Sequence, residues 1–126
     1  MESHAFRRAV ENRDIDLMVA LLDPEVRLYS PVAFMPFVGH DQVRELFSHL
    51  LEVFEDFHYV DELTGDGSQA LIFRAHVGDV QVQGLDHMTL GPDGLVTEFT
   101  VMVRPLSAAV RLAEVMAPRV GHLAKG

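Results

Sequence analysis

Residues 70–104 alternate apolar and polar side chains almost without a break, and this constrains the fold more than any other feature of the chain. One parity collects Leu71, Phe73, Ala75, Val77, Val80, Val82, Gly84, Asp86, Met88, Leu90, Phe99, Val101 and Val103. The other collects Arg74, His76, Gln81, Gln83, His87, Thr89, Glu98, Thr100 and Arg104. A period of two over this length predicts successive antiparallel strands, packed on one face and open on the other, at Ala70–Val77, Val80–Leu90 and Leu95–Arg104. Gly78-Asp79 suits a two-residue hairpin turn, and Gly91-Pro92-Asp93-Gly94 a second turn.

The rest of the chain supplies elements to cover that face. Ser3 is placed to cap a first helix with Phe6, Ala9 and Val10 on one side. A second short helix starts near Asp14 or Asp16 and carries Leu17, Met18, Leu21 and Leu22, and Asp23-Pro24 is expected to stop it. Val26–Ser30 reads as a strand with Val26, Leu28 and Ser30 on one face. The segment from Val32 to Gly39, with Phe34, Met35 and Phe37 between prolines, reads as an apolar loop, either a rim over a cavity or a seal on the core. Asp41 is expected to cap a third helix bearing Val43, Leu46, Phe47, Leu50, Leu51 and Phe54. A strand begins near Tyr59 and ends at Gly65-Asp66-Gly67. A last helix spans about 106–117, with Ser107 as cap and Pro118 as stop, before a frayed tail. These elements predict an α+β class: one curved, cone-shaped antiparallel sheet packed against the N-terminal helices, in a single domain over residues 1–126.

Composition narrows the function classes. The 126 residues include 19 acidic and 10 basic side chains, for a formal charge of −9, which opposes binding to a phosphate backbone. There is no cysteine, and no apolar run of membrane-spanning length. A cytoplasmic protein with neither nucleic-acid nor membrane partners is expected. His40, His49 and His58 do not share a ligand-forming helix face. No glycine-rich phosphate loop is present either, so neither a metal nor a cofactor is expected.

Asp86 is the chemical anomaly. On a face otherwise made of Val82, Met88 and Leu90, an ionised carboxylate loses several kcal/mol of hydration unless partnered. It is therefore tied to protein donors as a structural group, or kept protonated to donate to a ligand oxygen, or turned outward by a bulge. The protonated form is a polarising acid for carbonyl activation. The candidate partners are Ser30, inward-facing at the end of the first strand, and His4, one turn from Phe6 near the start of the chain. The candidate ligand-binding set is Ser30, Phe34, Phe37, Phe54, Phe73, Met88 and Phe99. On the opposite face, Ile72, Leu85 and Met102 among polar residues favour a homodimer through the sheet, with Arg74, His76, Thr100 and Arg104 in the contact.

The run from Phe6 through Leu28-Tyr29-Ser30-Pro31, the Gly39 that opens a helix, Gly84-Leu85-Asp86-His87-Met88 and Gly94-Leu95-Val96-Thr97-Glu98-Phe99 occur in a characteristic order. Over about residues 3–106 the chain resembles the SnoaL-like and ketosteroid isomerase-like proteins of the nuclear transport factor 2-like superfamily. The resemblance implies a cone-shaped α+β domain with a deep pocket, commonly dimeric through its sheet. It assigns to Asp86 the carboxylic acid that donates to a substrate oxyanion. It places Ser30 where ketosteroid isomerases carry their proton-shuttling Asp, and Phe6 where they carry an oxyanion-binding Tyr. With both exchanged, acid-assisted ring closure of the SnoaL type is the nearer chemistry, on an apolar cyclic or polyketide-like carbonyl compound. A non-catalytic ligand-binding or assembly domain is the alternative.

Overall fold

The alternation in the second half of the chain becomes four long strands. The computed structural model describes residues 5–122. In order they form α1 (Ala5–Glu11), α2 (Ile15–Ala20), β1 (Leu22–Tyr29), β2 (Phe37–Val38), α3 (Gly39–Val53), β3 (Glu55–Gly65), β4 (Ser68–Val77), β5 (Val80–Leu90), β6 (Val96–Arg104) and α4 (Leu106–Val120). One six-stranded sheet has the order β2-β1-β6-β5-β4-β3. The meander from β3 to β6 is antiparallel throughout, whereas β1 runs parallel to β6. The sheet is therefore mixed at one pair, because β1 is joined to β6 only through α3 and the whole meander.

Burial follows the predicted parity. Along β4 and β5, Leu71, Phe73, Ala75, Val77, Val82, Gly84, Asp86 and Met88 are buried, and the residues between them are exposed or half-buried. The helices cover this inner face with Phe6, Ala9 and Val10 from α1, Met18 and Val19 from α2, and Val43, Leu46 and Phe47 from α3. Ala108, Leu112, Met116 and Val120 of α4 join the same core. This is an α+β domain with N-terminal helices packed on a curved sheet.

Several local expectations change. Asp14 caps α2, its carboxylate accepting from the Leu17 N–H at 3.1 Å. Asp23-Pro24 does not divide helix from strand but lies inside β1, at a register shift between Leu22 and Arg27. A bulge is where a strand tolerates a residue without an N–H. The loop before α3 contains a short β2, paired antiparallel with β1. Val38, not Asp41, stands at the N-cap of α3, and its N–H donates to Gln42 Oε1 at 2.7 Å. Ser107 caps nothing, since Pro105 occupies the N-cap of α4. Helix α4 continues through Pro118 to Val120, so the proline does not stop the helix but lies within its last turn, where it withholds one N–H from the i→i−4 ladder. Ser3, His4 and the end of the tail lie outside the described residues.

Candidate functional site

Between the helices and the inner sheet face lies a cavity of about 60 Å³, within a wider concavity of about 540 Å³ that includes open solvent at its mouth. Aromatic residues make most of its wall. Phe6, Phe47 and Phe99 form one mutually tilted cluster, with ring centroids 5.2–6.0 Å apart. Phe54, Phe57 and Phe73 form another, in which Phe57 stacks on Phe73 at 4.6 Å. Leu50, Leu51, Val10, Met18 and Val101 complete the apolar lining. Three polar residues interrupt it: Asp86, Tyr59 and Arg13.

Asp86 and Tyr59 sit at the buried end, 6% and 5% exposed. The Tyr59 hydroxyl donates to Asp86 Oδ2 at 3.0 Å. Loss of hydration pushes the Asp86 carboxyl up to about 7, with the Tyr59 hydrogen bond pulling it back. Burial, then the adjacent carboxylate, raises the Tyr59 phenol well above its ordinary value. Below neutral pH the pair thus holds two protons in an apolar space. The Asp86 carboxyl can then donate to an oxygen placed in the cavity.

Tyr59 reaches this position through irregularities in β3. Its pairing with β4 shifts register between Glu55 and His58 and again between Tyr59 and Asp61, leaving Tyr59 opposite Phe73. The first shift accompanies a positive φ of 52° at Asp56. Both Phe57 and Tyr59 line the cavity, while Leu63, beyond the second shift, is left 53% exposed. Arg7 backs the tyrosine from α1. Its guanidinium carbon lies 6.0 Å from the Tyr59 ring centroid, and its Nη1 donates to Glu62 at 2.7 Å.

Arg13 occupies the solvent end. It follows α1 with φ 54°, its N–H donating to the Val10 carbonyl and that of Asp14 to Ala9. These two bonds form the helix-ending motif in which glycine usually takes the left-handed position. An arginine there carries a backbone cost of about 1 kcal/mol. Its Nη2 donates to the Leu51 carbonyl at 2.7 Å, near the end of α3.

Gly84 sets the depth of the cavity wall. It faces Phe73 across the β4–β5 pair, and a Cβ built on it would stand 2.1 Å from Phe73 Cζ. The far end of the ring therefore occupies the space that a side chain at Gly84 would fill.

The structure brings Asp86 together with Phe54, Phe73 and Phe99, but not with the other predicted binding residues. Ser30 Oγ accepts from the N–H groups of Val32 and Ala33 at 3.4 and 3.2 Å, closing its own turn. Phe34 is 89% exposed and is not part of the lining. Phe37 and Met88 are buried core residues outside the lining. Tyr59, not Ser30, is the described hydrogen-bond partner of Asp86, and Asp86 does not turn outward. His40, His49 and His58 each meet a different partner: the Leu22 carbonyl, Arg119 and the Asp56 carbonyl. Among the described residues no three metal-ligating side chains converge, and no helix is long and apolar enough to cross a membrane.

Residues 4–99 match the SnoaL-like domain family. The chain belongs to the SnoaL-like family. This places the SnoaL-like domain in the nuclear transport factor 2-like superfamily, among relatives of ketosteroid isomerase type. A steroid delta-isomerase from Pseudomonas aeruginosa is 35% identical, with 93% of this chain and 87% of that chain covered at a TM-score of 0.85. An uncharacterised bacterial protein with a cystatin-like fold from Silicibacter pomeroyi DSS-3 is 30% identical, with 91% and 82% covered at a TM-score of 0.86. A de novo designed protein with a curved β-sheet shares the fold at 15% identity, with 94% and 99% covered and a TM-score of 0.71. No curated protein matches the chain. The SnoaL-like fold is thus shared with a protein built for its shape, and activity has to be argued from the site.

Proposed function

We propose that this SnoaL-like domain binds a compact apolar carbonyl compound, with the ligand oxygen facing Asp86. The observation that carries this reading is a carboxyl group held near neutrality at the buried end of an otherwise apolar cavity, with Tyr59 as its hydrogen-bond partner. A neutral carboxylic acid in such a space stabilises negative charge developing on a carbonyl oxygen, the electrostatic requirement of enolisation and of ring closure.

The rest of the lining restricts the chemistry. Among the described residues it holds no second carboxylate and no histidine, so none of these side chains is suited to shuttle a proton between two carbons. Ser30, at the position the resemblance gives to that base, is engaged in its own turn. Ligand binding with acid assistance by Asp86 is therefore favoured over steroid-type isomerisation. Size points the same way. The space exceeds the ~10–15 Å³ that a water needs but falls below the ~150 Å³ of a cavity that takes benzene. A ring enters as the half-buried Phe54 and Phe57 move outward.

The test is titration with cyclohexenone, observed through the carbonyl carbon resonance of the ligand. Saturable binding with a downfield carbonyl shift, lost in Asp86→Leu, is expected. The same affinity and shift in the variant would refute the reading.

A specific feature of the outer face supports self-association. Ile72, Leu85 and Met102 pair in one row across β4, β5 and β6. They line a groove of about 280 Å³ with Gln83 and Arg104, which bond to each other at 3.0 Å. Met102 is 59% exposed. A second copy laid on this face would cover the row, consistent with a homodimer.

A further inference from the structure

Arg13 has no place in the acid chemistry of Asp86, yet it stands in the lining of the same cavity. Three observations bear on it. It occupies a backbone position that favours glycine. Only its Nη2 bond to Leu51 is used, and it makes no ion pair among the described residues, whereas Arg7, Arg44, Arg111 and Arg119 all do. Among the described residues it is the one positively charged side chain in a lining whose other polar groups, Asp86 and Tyr59, lie at the buried end.

We propose that Arg13 recognises an anionic end of the ligand, so that the occupant is an apolar oxo acid with its carbonyl toward Asp86 and its carboxylate at the mouth. This deepens the carbonyl-binding reading and rests on it. A planar guanidinium with one nitrogen anchored keeps donors free for a carboxylate, which it can meet with two parallel hydrogen bonds. A single guanidinium, in a chain of net charge −9, balances one negative charge, which favours a carboxylate over a doubly charged phosphate. The enclosed space takes the apolar body once Phe54 and Phe57 move outward, and the surrounding concavity takes the charged end. The bond to Leu51 also caps α3, but a capping role alone confers no preference between an acid and its neutral counterpart.

The experiment compares two probes by calorimetry: cyclohexanone bearing a carboxylate opposite the ketone, and the same ring bearing a hydroxymethyl group. In the unmodified protein the acid is expected to bind roughly tenfold more tightly, with the preference shrinking as salt is raised. Arg13→Gly relaxes the backbone and should abolish the preference, and Arg13→Lys, which keeps the charge but not the planar fork, should keep part of it. The ratio of the two affinities within one variant does not depend on how much of that variant is folded. Equal binding of the two probes, or a preference that survives in Arg13→Gly, overturns the role of Arg13 and leaves the carbonyl-binding reading standing. Binding of neither probe overturns both.

Discussion

The Tyr59 hydroxyl donates to Asp86 across 27 residues of sequence, at a point where neither side chain is more than 6% exposed. This bond joins an irregular strand to a regular one and gives the only buried carboxylate among the described residues a partner that carries no charge of its own. An arginine or lysine in the same place would hold Asp86 ionised. A phenol leaves its protonation to the surroundings, and burial then decides it.

Folding stability should fall as pH rises from about 4 to about 7. Below that interval the carboxyl is protonated in both states. Within it the folded protein keeps a proton that the unfolded chain has released, because the folded value is raised from 3.8 to about 7. Stability present at acid pH is therefore lost as pH passes the folded value, by about 2–4 kcal/mol at ~1.4 kcal/mol per pH unit. Denaturant titrations of the protein and of Asp86→Asn across this range give the comparison. The variant should lack this part of the pH dependence, and parallel curves would contradict the assignment.

Tyr59→Phe should move the Asp86 titration to higher pH, since the hydrogen bond it removes opposes the effect of burial. The stability cost should grow with pH, from about 1 kcal/mol with Asp86 neutral to ~2–3 kcal/mol with it ionised. Infrared spectroscopy of the protonated carboxyl band reports the midpoint directly. A midpoint that moves downward would show that another donor dominates.

Gly84→Ala should destabilise the fold by roughly 1–3 kcal/mol, the range for forcing extra volume into a packed core. The added methyl group must displace the Phe73 ring, which lines the cavity, so cyclohexenone affinity should fall as well. A crystal structure of the variant with Phe73 unmoved would refute this account of the cavity wall.

Replacing Leu85 and Met102 together by Lys should leave the inner core intact while placing two charges in the outer apolar row. Size-exclusion chromatography with light scattering should show a dimer for the parent protein and a monomer for the double variant. A monomeric parent at high concentration would remove the case for association through this face.

Much of this architecture was legible in the sequence because strands β4 and β5 keep a period of two, and β6 departs from it only at the register shift between Val96 and Glu98. Val80–Leu90 is found where alternation predicts it, and parity alone puts Asp86 on the inner face. The site was only half legible. Tyr59 was hidden because two register shifts in β3 break the parity argument, and no local composition marks them. Arg13 was hidden because its position comes from a helix-ending turn that ordinarily announces itself with glycine. Ser30 shows the opposite failure. It continues the parity of the buried Val26 and Leu28, but the strand ends at Tyr29 and its hydroxyl is spent on the following amides. Hydrophobicity alone makes Phe34 a candidate for the rim, whereas the loop carries it into solvent.

Gly84 belongs to two surfaces. On one side of the sheet it makes room for the Phe73 ring, and on the other its backbone lines the groove beside Leu85 and Met102. At this point the wall between groove and cavity is a single layer of peptide with a phenyl ring resting on it. Pressure on the outer face thus reaches the cavity through the Gly84 peptide and the Phe73 ring alone, and the width of that space is set from behind as much as from within.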